Sequence, residues 1–238
     1  MTNKTLARLL PFFDPNELPD YPFIFVCSAR RAGKSSLVCD LLLNYFHNRY
    51  DFIIGLCGNA HTCRQYVDRG AIPAKYCHSD YTPDILGEWF AKCDKLLKKG
   101  KELPRTLFVC DDILVLQATK NKKTTRNDPW LSKLATTGRH YNAGCILLVQ
   151  SWNIGLAFVR NSDAVITSPS SLYAGQDFKQ LAEHYMAGGN YKRNKEILDL
   201  FGKYDFLVLK YWKATRSQKE LLSWYRVNNQ SLQYAKHN

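Results

Sequence analysis

Residues 28–36, Ser-Ala-Arg-Arg-Ala-Gly-Lys-Ser-Ser, combine small side chains with a Gly33-Lys34-Ser35 step. An apolar run, Phe23–Cys27, precedes them and reads as a buried strand. The run from Leu37 to Leu43 follows and reads as a helix. Strand, small-residue loop, Gly-Lys-Ser and helix is the setting that a phosphate-binding P-loop requires. There the loop N–H groups and the helix N-terminus aim at one spot, and the helix dipole favours an anion. Ser28, Ala29, Arg30, Arg31, Ala32, Gly33, Lys34, Ser35 and Ser36 are therefore the expected nucleotide-binding residues. Lys34 is expected to reach the β- and γ-phosphates and the Ser35 hydroxyl to ligate Mg²⁺. Ser28 stands where the usual G-x-x-x-x-G-K-[ST] pattern has Gly. Serine disfavours positive φ, so the opening turn must be one that a side chain tolerates.

A second set of residues belongs with the first. The apolar stretch Thr106–Cys110 runs into Asp111-Asp112. A hydrophobic strand that ends in Asp is the expected Walker B element, whose carboxylate holds Mg²⁺. Asp112 is assigned general-base work on an attacking water, one methylene shorter than the more usual Glu. In P-loop ATPases of the additional-strand class, a further strand lies between the two Walker strands. Here that strand is Gly144–Val149, and its tip would turn Gln150 toward the γ-phosphate as a sensor. Arg139 precedes this strand and Arg160 precedes the next. Either could be the arginine that a neighbouring subunit supplies to neutralise transition-state charge, with Arg139 preferred.

These side chains need a scaffold, and the pattern supplies one. Strands are expected at 23–27, 51–57, 105–110, 144–149 and 164–168. Helices are expected at 35–46, 61–69, 83–99, 129–138 and 174–202, the last broken at Gly188-Gly189. Residues 205–212 and 221–227 alternate as an antiparallel hairpin. Residues 1–21, with three prolines, read as an extended lead-in packed on the sheet, and 70–83 as irregular. The ATPase core spans 22–168, and C-terminal helices and hairpin fill 169–238. Strands alternating with helices imply one α/β domain: a three-layer, RecA-like sandwich around a mostly parallel sheet, with a C-terminal β-hairpin.

The chain has 238 residues, 45% of them hydrophobic, enough for a full core. Its net charge is +12, which suits a polyanionic partner, nucleic acid first. Lys120, Lys122, Lys123 and Arg126 sit in a polar stretch soon after Asp112 and are the candidate DNA contacts. No apolar run reaches the ~18 residues of a membrane span. Eight cysteines and no leading signal peptide read as reduced thiols in a cytosolic setting. Cys57, His61, Cys63, Cys77 and His78 lack C-x-x-C spacing, so they read as buried or half-buried thiols rather than a zinc centre.

SARRAGKSS, LFVCDD, TTGRHYNAGCILLVQS and VRNSDAVI, in this order across residues 22–168, resemble the poxvirus-type virion DNA-packaging ATPases of the FtsK–HerA superfamily, whose relatives occur in giant viruses and virophages. The resemblance implies an ATP- and Mg²⁺-dependent motor that moves double-stranded DNA into a preformed capsid. It implies a pentameric or hexameric ring, a capsid protein at the packaging vertex as partner, and action in the cytoplasm of the infected cell. The alternatives are a nucleotide-gated DNA-binding or assembly protein with weak turnover, or another ATPase of this class such as a helicase. A small-molecule kinase would not need the basic surplus.

Overall fold

The expected strands become one sheet. The computed structural model describes residues 2–113, 128–150, 152, 158–172, 176–186, 190–211 and 221–228. Within them the strands are β1 (Phe23–Cys27), β2 (Phe52–Cys57), β3 (Cys77–His78), β4 (Thr106–Asp111), β5 (Ala143–Val149), β6 (Ala164–Thr167), β7 (Asp205–Lys210) and β8 (Leu222–Arg226). Their spatial order is β3-β2-β4-β5-β1-β6-β7-β8. All pairings from β3 to β6 are parallel; β6–β7 and β7–β8 are antiparallel. The central strands β4, β5, β1 and β6 are buried throughout because helices cover both of their faces.

Side chains alternate between two cores. Phe23, Phe25, Phe108, Cys145 and Leu147 enter one, together with Leu86 and Phe90 of α4 (Pro83–Lys98) and Leu131 and Leu134 of α5 (Pro129–Thr137). Phe178 of α6 (Gln176–Gln180) and Leu198 of α7 (Tyr191–Leu198) join this core. Ile24, Val26, Leu107, Val109, Ile146 and Leu148 enter the other. They meet Leu37, Val38 and Leu41 of α2 (Lys34–Leu41) and Tyr66 of α3 (Ala60–Asp68). Helix, sheet, helix is thus the layering that the two-residue period demands.

β5 lies between β1 and β4, the additional-strand arrangement expected from the sequence. The C-terminal hairpin also forms, and it extends the sheet from β6. The register aligns Cys27 with Val149 and Asp111 with Leu148, so the tips of β1, β5 and β4 end level with one another.

Three local expectations change. The lead-in is not wholly extended: Thr2–Leu9 is a helix, α1, in a stretch free of Pro and Gly until Pro11 disfavours its continuation. Past it the chain does run along the sheet. Phe13 N–H donates to the Trp224 carbonyl and the Phe12 ring meets the Trp224 ring edge-on at 5.3 Å. Residues 70–83 are not entirely irregular, because β3 pairs with β2; two residues are too few for any period to show. The stretch 174–202 is shorter in helix than expected, with α6 running into a π turn at Leu181–Tyr185 and α7 ending at Leu198.

Candidate active site

The loop after β1 turns through Arg31, at φ 61°, and Gly33, at φ 93°. Ser28 does not adopt positive φ, so its departure from Gly costs the loop no backbone strain. Its N–H donates to the Val149 carbonyl at 3.2 Å, prolonging the β1–β5 ladder. Gly33 is required twice over. Its φ is left-handed, and a Cβ there would fall 2.6 Å from Cδ1 of Tyr204. α2 begins at Lys34, so its free N–H groups face the loop.

The Lys34 ammonium donates to the carbonyls of Ser28 at 2.6 Å and Ala29 at 3.2 Å. Burial lowers its pKa, against the pull of Asp112 and Asp111. Asp111 is buried at the tip of β4, where Tyr66 of α3 donates its phenol O–H to Oδ2 at 2.7 Å. Burial raises the Asp111 pKa to about 6, with Asp112 adding to the rise while the Tyr66 hydrogen bond and Lys34 oppose it. Asp112 takes a left-handed φ of 57°. Its carboxylate accepts from Nε2 of Gln150 at 3.0 Å on both oxygens. The amide nitrogen rather than the oxygen faces Asp112 because a carboxylate only accepts. Gly58 makes room for this turn: a Cβ there would stand 2.8 Å from the Asp112 carbonyl oxygen.

Lys34, Ser35, Asp111, Asp112 and Gln150 line one cleft of about 450 Å³, of the size that holds a small organic ligand. The expected convergence of three strand tips is therefore present. Arg30 and Arg31 line the cleft as well. So do Arg69, which follows α3 and whose Nη1 lies 3.4 Å from Ser36 Oγ, and Lys203. Among the described residues, five basic side chains thus face two acids, so the cleft attracts a polyanion.

The sequence reading missed what α3 and the β7 approach add: Tyr66 beneath Asp111, Arg69, Lys203, and Tyr204 over Gly33. One signal could have found the α3 group. In parallel α/β sheets ligands bind beyond the carboxyl ends of strands, and β2 ends immediately before Gly58-Asn59. Asn59 and Thr62 indeed line the cleft, with the Asn59 side chain capping α3 by accepting from Thr62 N–H at 2.9 Å.

Arg139 and Arg160 are exposed and do not line this cleft. Arg139 precedes the N-terminal end of β5 and Arg160 that of β6, so both stand at the opposite edge of the sheet. Seven residues of β5 put that edge about 20 Å away. Arg139 instead faces Asp163, whose pKa it helps to hold down against the larger effect of burial. Lys120, Lys122, Lys123 and Arg126 lie outside the described residues. No helix among the described residues is long and apolar enough to cross a membrane.

No protein-family model matches the sequence, and no curated protein matches it. Solved structures do. The genome packaging NTPase B204 from Sulfolobus turreted icosahedral virus 2, in complex with ATP-gammaS, matches with a TM-score of 0.51 and 16% identity over 88% of this chain and 98% of that one. Its sulfate complex gives 0.54 and 15% over 89% and 98%. Its AMPPCP complex gives 0.52 and 17% over 89% and 100%. Such identities speak for the fold, and with the strand order and the loop after β1 they make this chain a three-layer α/β, RecA-like P-loop NTPase fold.

Proposed function

We propose that this chain is an ATP-hydrolysing motor that translocates double-stranded viral DNA into a preformed capsid. The observation that carries the reading is the meeting of Lys34, Asp111, Asp112 and Gln150 in one basic cleft at the tips of three adjacent strands. The similarity in fold to a viral genome packaging NTPase supports it, as does the net charge of +12. The poxvirus-type, FtsK–HerA assignment is the finer part of the same proposal and rests on the sequence resemblance.

The residues have distinct work in hydrolysis. The loop N–H groups and Lys34 hold the β- and γ-phosphates and neutralise charge that grows as the terminal bond breaks. Asp112 accepts the proton of the attacking water, and Gln150 fixes the carboxylate that does so. Mg²⁺ fits the donor set, since the Ser35 hydroxyl and the Asp111 carboxylate face the same cleft and burial leaves that carboxylate in want of positive charge. When bound, the ion supplies charge neutralisation between the phosphates. Arg139, or next Arg160, completes the site of a neighbouring subunit in a pentameric or hexameric ring. Lys120, Lys122, Lys123 and Arg126 contact DNA phosphates without reading sequence. A capsid protein at the packaging vertex is the docking partner, and the work takes place in the cytoplasm of the infected cell.

The test is ATP hydrolysis with and without duplex DNA, together with the mass of the assembly with and without ATP. A motor is stimulated by duplex and assembles as a ring. A second reading, a nucleotide-gated DNA-binding or assembly protein that turns over weakly, is favoured by one observation: both oxygens of Asp112 are engaged by Gln150. That reading gains if duplex leaves a slow rate unchanged. Strand displacement would instead favour a helicase.

A further inference from the structure

Three cysteines that the nucleotide chemistry does not use come together beside the cleft. Cys57 ends β2, Cys77 starts β3, and Cys63 lies in α3. All three thiols are free, and their sulfurs lie within 4.8 Å of one another. Cys57 Sγ and Cys77 Sγ are 4.0 Å apart, and Cys77 Sγ is 3.6 Å from the Cys63 carbonyl oxygen. Three sulfurs at about 2.3 Å from one tetrahedral ion stand about 3.8 Å apart, so the group needs only a small contraction.

The fold makes room for this group. Gly55 lies opposite Cys77 in the β2–β3 register, and a Cβ at Gly55 would stand 2.9 Å from Cys77 Sγ. A glycine within a strand otherwise weakens it, and here it opens the space that the sulfur fills. Cys57 is buried while Cys63 and Cys77 are half-buried, which leaves one side open.

We propose that Cys57, Cys63 and Cys77 form a thiolate site for a soft divalent metal of the Zn²⁺ class, with its fourth position open to water or another exogenous ligand. Oxygen-seeking Mg²⁺ is not its occupant. Each thiol that binds gives its proton to solvent. The bound metal supplies the positive charge that stabilises the three thiolates. Neither nearby histidine completes the set. His78 follows Cys77 in a strand and so points to the opposite face, and His61 Nε2 is 3.0 Å from the Gln65 amide in the wall of the cleft. The ion would tie α3 to β2 and β3. α3 also carries Tyr66 under Asp111, so the metal steadies the nucleotide site without entering it.

The experiment uses the full chain, stripped with a chelator under reducing conditions. Zn²⁺ is titrated against a chromophoric chelator, and Co²⁺ is substituted for spectroscopy. One Zn²⁺ per chain is expected, a higher melting temperature on binding, and thiolate-to-Co²⁺ charge-transfer absorption with tetrahedral d–d bands. Cys63→Ser should weaken binding by about a hundredfold or more, beyond what loss of an outer-shell partner costs. Gly55→Ala, which keeps all three thiols but displaces Cys77, should weaken it by about tenfold. Cys93→Ser, outside the group, should bind as the wild type does. Absence of binding, equal binding by Cys63→Ser, or recovery of a Cys57–Cys77 disulfide in place of metal overturns the proposal. ATP binding by the stripped protein is read separately, so the motor reading stands or falls by itself.

Discussion

Gln150 Nε2 lies 3.0 Å from each carboxylate oxygen of Asp112, joining the tip of β5 to the residue just past the tip of β4. The two side chains therefore answer to each other, and in the proposed mechanism a change at Gln150 reaches the carboxylate that takes the proton. Asp112→Asn should leave ATP affinity nearly unchanged and lower kcat by about 10²–10⁴-fold, the range for loss of a general base. Gln150→Ala should lower kcat by less. Equilibrium binding beside single-turnover hydrolysis checks both. An Asp112→Asn protein that turns over at the wild-type rate would remove the base assignment.

Lys34→Ala should abolish hydrolysis and weaken ATP binding together, because in the proposed role its ammonium meets the phosphates in both ground and transition states. Isothermal titration with a non-hydrolysable analogue separates the two effects. Full binding affinity in Lys34→Ala would show that the triphosphate lies elsewhere.

Asp111 gives a pH dependence of definite sign. Its native pKa, about 6, stands above its ordinary 3.8, so between these values the folded chain holds the extra proton. Its contribution to stability is therefore present at low pH and falls as pH rises through this window. Catalysis runs the other way: kcat/KM should decline below about pH 6 as the carboxylate is lost. Asp111→Asn should be inactive yet more stable at neutral pH by about 1–2 kcal/mol, a few degrees in Tm for a chain of this size. Tyr66→Phe should move the acid limb to higher pH, since the phenol hydrogen bond is what restrains the shift. A Tyr66→Phe limb at the wild-type position would reduce Tyr66 to packing.

Gly33→Ala should destabilise the chain by about 1–3 kcal/mol and lose nucleotide binding, from positive φ and from the 2.6 Å approach of Tyr204. Adding Tyr204→Ala should recover part of the stability, since it relieves the contact but not the dihedral strain. Thermal melts of the single and double variants measure the split.

The strand order and the principal cleft residues were legible because short-range chemistry announces them. Gly33-Lys34-Ser35 after an apolar strand and Asp111-Asp112 after another need no distant partner to be recognised. Tyr66 was not legible. It reads as one apolar position of an amphipathic helix, and only the packing of α3 on the sheet carries its hydroxyl to an acid 45 residues away. Arg69, Lys203 and Tyr204 were hidden for the same reason. The half-buried and buried thiols were expected, but their gathering was not legible, because β3, the two-residue strand that brings Cys77 alongside Cys57, is too short to leave a periodic trace.

The C-terminal hairpin and its approach are bound to α2 and to the loop after β1 at several points. Tyr225 of β8 donates its phenol to buried Asp40 of α2, and Asn228 N–H donates to the same carboxylate. Tyr204 leans on Gly33, and β7 closes the open edge of β6. A truncated chain that stops after β6 would bare a row of strand amides and carbonyls. It would also deprive a buried acid of two donors and uncover Gly33. The stretch that bears the motifs is therefore not a portable cassette, and fusions or minimal fragments must carry the hairpin to keep the loop after β1 in shape.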